Sequence, residues 1–104
     1  PLIRSAWLYG SVARGTDAPR SDMDLALVIT ADSVDASRQV RDAVQALGDR
    51  LGVHISPVVL TSSDLEKIPT DDAWWTELSR DAQVLKGTSP AKEAARRAKA
   101  AQPA

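Results

Sequence analysis

The stretch Leu8-Tyr9-Gly10-Ser11-Val12-Ala13-Arg14-Gly15-Thr16-Asp17-Ala18-Pro19-Arg20-Ser21-Asp22-Met23-Asp24-Leu25 decides how this chain is read. Ahead of it, Ile3 to Tyr9 is a short apolar and aromatic run that stops at Gly10-Ser11, the pattern of a strand entering a tight turn. Behind it, Met23 to Ile29 is almost continuously apolar, which predicts a strand covered on both faces. Val12 to Gly15 has the length of one helical turn, and Thr16 to Ser21 reads as a loop. A Gly-Ser at a strand end, just before a helical turn, offers unpaired N–H groups and a hydroxyl to an anion, with no Cβ at Gly10 to block its approach. Asp22 and Asp24 are two apart on a strand, so both side chains leave one face with Cβ atoms about 6–7 Å apart. Like charges that close are costly in a half-buried strand unless they share a cation. Mg²⁺ prefers carboxylate, water and phosphate oxygens, so Asp-x-Asp facing a phosphate cradle makes a metal-nucleotide site. Alone, Gly-Ser is a common loop dipeptide and Asp-x-Asp a solvated strand end; their combination carries the signal.

Outward from this stretch, Val40, Val44, Leu47 and Leu51 recur at helical spacing between Asp32 or Ser33 and Gly52, which predicts a long amphipathic helix. Val53 to Leu60 predicts a third strand, with Pro57 placing it at a sheet edge or a bulge. Thr61-Ser62-Ser63-Asp64 looks like a helix start, and Pro69 ends that helix. Asp71 or Asp72 caps the next one, in which the spacing of Trp74 and Leu78 sends Trp74 to the core and leaves Trp75 partly exposed as a partner surface. Ala82 to Lys86 is a short last strand ending at Gly87. This order predicts an α/β (α+β) fold, a small mixed β-sheet with helices packed on it. Residues 1–87 form the domain. Residues 88–104, rich in Ala, Lys and Arg with almost no large apolar side chain, form a helical or disordered tail.

With 104 residues there is room for one domain and not for a second, substrate-binding lobe. The absence of cysteine excludes disulfides and thiolate metal sites, and a single histidine excludes a multi-histidine metal cage. Residues 1–87 hold nine Lys/Arg against thirteen Asp/Glu, whereas 88–104 hold four against one, so an acidic body carries a basic tail. The net charge of -1 gives no global field for nucleic acid, which is not expected as a direct ligand; contact of the Lys92 to Lys99 cluster with RNA or an acidic partner is the alternative to a solvated tail. No uncharged run reaches the roughly 18 residues of a membrane span. With no signal segment at its start, the cytoplasm is the expected compartment.

Gly10-Ser11, ten residues, and Asp22-Met23-Asp24 resemble the signature of the DNA polymerase β-type nucleotidyltransferase superfamily, and within it the minimal nucleotidyltransferases. The resemblance extends less specifically from Ile3 to about Gly87. It implies a polymerase β-type fold and transfer of a nucleoside monophosphate, AMP from ATP, to a hydroxyl, dependent on Mg²⁺ or Mn²⁺. By position it implies that Gly10, Ser11 and Arg14 hold the phosphates of the NTP, with pairing of Arg14 to Asp17 or Asp22 as the alternative role of that residue. Asp22 and Asp24 would be the metal-binding catalytic residues. The implied setting is a toxin–antitoxin pair in which this chain modifies a tyrosine hydroxyl of a HEPN-type RNase toxin; an oligomer is left open.

Two departures from the superfamily pattern stand out. The superfamily places a third carboxylate on the strand after the long helix, where this chain has His54-Ile55-Ser56, with His54 and Ser56 on one face. A hydroxyl is a poor Mg²⁺ ligand, so the nucleotide-side ion is expected to survive and the catalytic ion to be weakened, while His54 is a candidate general base. The helix that normally precedes the first strand has no counterpart, which leaves part of the sheet bare unless another segment or chain covers it. Two further functions stay open, the first motivated by Ser56 where an acid is expected and the second disfavoured because such enzymes carry an additional helical domain. One is a catalytically weak nucleotide-binding module acting by contact; the other is a transferase acting on a small molecule such as an antibiotic.

Overall fold

A computed structural model of the chain describes residues 2–10, 22–69 and 71–101, with side chains as far as residue 95. Its strands are β1 (Ile3–Tyr9), β2 (Met23–Ile29), β3 (Ile55–Leu60) and β4 (Gln83–Lys86). Its helices are α1 (Val34–Leu51), α2 (Ser62–Lys67), α3 (Ala73–Asp81) and α4 (Pro90–Ala101). The strands form one mixed sheet in the order β3-β2-β1-β4. β1 runs antiparallel to both β2 and β4, and β2 runs parallel to β3.

Central β2 explains its own composition. Ala26 and Val28 face one layer with Trp7 and Tyr9 of β1, Leu60 of β3, Leu65 of α2, and Trp75 and Leu78 of α3. The alternate residues Leu27 and Ile29 face the other layer with Ala6, Val59 and Val40 of α1. A strand covered on both faces cannot alternate apolar with polar residues, so the run reads as continuous. β3 lies at the sheet edge, where Pro57 costs no ladder bond to a further strand.

The helix ends follow local chemistry. The Ser33 hydroxyl accepts from the Ala36 amide at 3.0 Å, Thr61 and Asp64 form a reciprocal capping box, and the Asp72 carboxylate accepts from the Trp75 amide at 2.9 Å. In α3 the structure corrects the expected roles of the two tryptophans. Trp75, three residues before Leu78, is the core residue and meets Trp7 edge to face at 5.9 Å, while Trp74 is half-buried and meets Tyr9 at 5.9 Å. Spacings of three and four both lie on one helix face, and the i, i+3 pair is the one that points into the sheet.

Residues 88–104 were expected as a helical or disordered tail; the segment is helical over Pro90–Ala101 and is tied to β1 by a buried carboxylate. Glu93 is 2% exposed. Its Oε2 accepts from Arg4 Nη2 at 2.7 Å and its Oε1 from Thr88 Oγ1 at 2.7 Å and Ser5 Oγ at 3.2 Å. The Thr88 amide in turn donates to Ser5 Oγ at 3.1 Å, and the Trp7 indole donates to the Thr88 carbonyl at 2.7 Å. Gly87, at φ 74°, makes this approach feasible, since a Cβ there would lie 2.5 Å from Ser5 Oγ.

On the α1 layer the sheet is only half covered. A Cβ on Gly48 would sit 2.7 Å from the Val53 carbonyl, so the glycine lets α1 press against the β3 side. Only Val40 and Gly48 of α1 are buried. Between α1 and β1 an open apolar groove of about 430 Å³ is left, lined by Leu2, Ile3, Val40, Ala43, Val44 and Leu47. Part of one side of the sheet is bare at this groove.

Burial would push the Glu93 carboxyl up, but hydrogen bonds from Thr88, Arg4 and Ser5 and the Arg4 charge hold it below its ordinary value of 4.5. A lowered folded-state pKa contributes stability that is complete above the ordinary value and lost as pH falls through the lower folded one. Glu93→Gln is therefore expected to destabilise the fold by about 2–3 kcal/mol near neutral pH, by leaving Arg4 without its partner. It should also flatten the acid limb of a plot of urea-unfolding stability against pH.

Candidate functional site

Of the expected site residues, the described ones, Gly10, Asp22, Asp24, His54 and Ser56, converge at the end of the sheet where β1 finishes and β2 and β3 begin. Tyr9 pairs with Asp24 across β1 and β2, and Asp24 pairs with Ser56 across β2 and β3. Tyr9, Asp24 and Ser56 thus form one row on the α3 side of the sheet. The next row inward is Trp7, Ala26 and Val58, so the charged end of β2 gives way to core within two residues.

Gly10 adopts φ +77°, a left-handed backbone that side-chain-bearing residues rarely take. A Cβ at this position would overlap the Asp24 carboxylate. The glycine thus has two functions: it turns the chain out of β1, and it lets the Gly10 backbone approach a metal-ligand candidate closely. Ser11 and Arg14 lie outside the described residues.

Asp22 stands one step beyond β2, half exposed, on the same face as Asp24. His54 Nδ1 donates to Asp22 Oδ1 at 2.5 Å and Ser56 Oγ donates to Asp22 Oδ2 at 3.3 Å. The His54 carbonyl accepts from the Met23 amide at 2.8 Å, so its backbone is fixed to β2 between the two aspartates. His54 and Ser56 share a face, as their spacing predicts, and both engage Asp22. Asp64, the next acid along the chain, belongs to the α2 capping box instead.

Tyr9 also stands at this end of the sheet, with Trp74 against it edge to face, and neither is marked as a site residue by the sequence pattern. Burial raises the Tyr9 phenol above its ordinary value of 10.0; the Asp24 and Glu77 charges add to this, against a hydrogen bond donated by the Trp74 indole. A neutral phenol therefore flanks Asp24. The signal for it lies in the strand pairing, because Tyr9 faces Asp24 only once the register is known.

Asp22 and Asp24 supply only hard oxygen donors, the set that suits Mg²⁺ or Mn²⁺. Among the described residues no group of three or more acidic or histidine side chains is arranged to hold a metal ion. The donor set therefore fits an ion shared with a nucleotide's phosphates better than a cage made by protein alone. A polar hollow of about 310 Å³ between α1 and α2 is at the opposite end of β2 and β3. Several of its polar groups are engaged elsewhere, with Ser63 Oγ donating to Asp32 at 2.6 Å and Thr61 and Asp64 capping α2.

Residues 1–70 match the family model described as Polymerase beta, Nucleotidyltransferase, and the chain belongs to that family. The search of curated proteins found no match. Among solved structures, a toxin–antitoxin complex with AMP-PNP contains a chain with TM-score 0.64 and 20% identity, over 96% of this chain and 75% of that one. The toxin–antitoxin complex MntA-HepT gives 0.56 and 17%, over 96% and 72%. A complex of tri-AMPylated Shewanella oneidensis HEPN toxin with MNT antitoxin gives 0.55 and 17%, over 96% and 71%. At these identities the likeness is one of fold. The mixed sheet with its helices is a polymerase β-type nucleotidyltransferase fold, as the resemblance implies. Among the described residues no helix is long and apolar enough to cross a membrane.

Gly10→Ala is expected to cost about 1–2 kcal/mol in backbone strain alone and to force Asp24 from its place. Thermal unfolding should record the first effect. The Asp24 side-chain chemical shifts, compared with wild type by NMR at a temperature where the variant remains folded, should record the second.

Proposed function

We propose that this chain binds an NTP with a divalent cation and transfers AMP from ATP to a hydroxyl of a HEPN-type partner, as the antitoxin of a toxin–antitoxin pair. The observation that carries this reading is the juxtaposition of the Gly10 turn with Asp24, with Asp22 on the same face two residues away. Membership of the nucleotidyltransferase family supports it, as do fold neighbours whose complexes contain AMP-PNP or an AMPylated toxin.

In this reading the Gly10 amide, Ser11 and Arg14 bind and orient the triphosphate. Asp22 and Asp24 hold the cation. A cation held there would neutralise phosphate charge and stabilise the oxygen that leaves. The acceptor oxygen bonds to the α-phosphorus, the α–β anhydride P–O bond breaks, pyrophosphate leaves, and the hydroxyl proton passes to water. Positioning dominates in such transfers, because the reacting groups are supplied by the substrates. In this reading the partner supplies the acceptor, as the AMPylated toxin in one fold neighbour's complex suggests.

One observation favours a second reading. Ser56 and His54 donate to Asp22 where a further carboxylate would hold another ion, as expected of a module that binds nucleotide and acts by contact. Two measurements separate these readings. Asp22→Asn and Asp24→Asn are each expected to weaken Mg-ATP binding at least about tenfold in calorimetry, and the double variant to abolish it; retained tight binding would remove the site. Incubation with α-labelled ATP, Mg²⁺ and a HEPN-type toxin that this chain binds should label that toxin. Mg-ATP binding with no label transferred supports the contact module instead.

A further inference from the structure

The residues at the third-carboxylate position do have a definable task. His54 is 76% exposed on its side chain, yet it is fixed at both ends. Its backbone carbonyl accepts from Met23, between the two aspartates, and its Nδ1 lies 2.5 Å from Asp22 Oδ1. A carboxylate only accepts, so the imidazole donates through Nδ1. Ser56 Oγ holds the other oxygen of the same carboxylate at 3.3 Å. Asp22, 47% exposed on its side chain, would otherwise rotate through several rotamers at the mouth of the sheet.

A carboxylate oxygen that accepts one hydrogen bond keeps a second lone pair. The two donors therefore fix the plane of Asp22 without using up its capacity to bind a cation. The Nδ1 that donates its proton to Asp22 has no lone pair left for a cation, so that atom orients Asp22 and adds no ligand of its own. Outer partners that orient a metal-binding carboxylate typically set affinity by about 10–100-fold.

We propose that His54, assisted by Ser56, is a positioning residue that orients Asp22 for a single divalent cation, in place of a residue that ligates a second ion. This rests on the metal-nucleotide reading of Asp22 and Asp24 and states how that site is organised.

The test is Mn²⁺ binding to the full chain in the presence of ATP, read by electron paramagnetic resonance for affinity and stoichiometry, with a thermal melt of each variant. The wild type is expected to take up one Mn²⁺ per chain. His54→Ala should weaken Mn²⁺ about 10–100-fold with an unchanged melt. His54→Asn, whose amide nitrogen sits where Nδ1 sat, should return affinity to within a few-fold of wild type, and Ser56→Ala should give a smaller loss than His54→Ala. The inference is overturned by His54→Ala binding Mn²⁺ as well as or better than wild type. It is equally overturned by His54→Asn behaving as His54→Ala, or by two ions per wild-type chain. If Asp22→Asn abolishes Mn²⁺ binding and His54→Ala does not, only this inference falls. If the wild type binds no Mn²⁺ with ATP, the metal-nucleotide reading falls as well.

Discussion

Strand β2 has to be charged at one end and dry at the other, and the rest of the structure follows from that. Ala26 to Ile29 are buried from both sides, while Asp22 and Asp24 stand four and two residues before Ala26. Carboxylates next to a two-sided core are tolerable only where the chain opens to solvent or where donors or counter-charges meet them. β1 must therefore end opposite Asp24, and it does so at Gly10, where the missing Cβ makes room for the carboxylate. β3 must bring donors and not bulk to the same end, and it brings His54 and Ser56.

The dry end makes demands of its own. A sheet covered on one face by α2, α3 and α4 and on the other by α1 needs each helix anchored, and the anchors differ in kind. α3 is held by Trp75 and Leu78, an apolar contact. α4 has almost no large apolar side chain and is held by the Glu93 network. A buried carboxylate satisfied by Arg4, Ser5 and Thr88 fixes the helix at a defined place, because a small displacement would leave a buried charge without donors.

Much of the fold was legible locally. Caps at Ser33, Thr61 and Asp72, the break at Pro69 and the edge position implied by Pro57 depend on neighbours within a few residues, so sequence patterns report them directly. The two-residue spacing of Asp22 and Asp24 likewise puts them on one face without further knowledge. What stayed hidden depends on partners far along the chain. The choice of Trp75 over Trp74 for the core depends on where Trp7 lies, and the docking of α4 depends on Glu93 meeting Arg4 and Ser5, 89 and 88 residues away.

By itself, the sequence determined that this is a small mixed sheet carrying a glycine turn and two aspartates at a nucleotidyltransferase spacing, because local periodicity and turn chemistry suffice for that. Only the tertiary structure decided what surrounds them. Strand register placed Tyr9 beside Asp24 and brought His54 and Ser56 onto Asp22. The close approach at Gly48 set α1 against β3 and left the groove beside β1 open. Register and helix docking are settled by which distant surfaces fit together, and such fits are properties of the assembled core and not of any one segment.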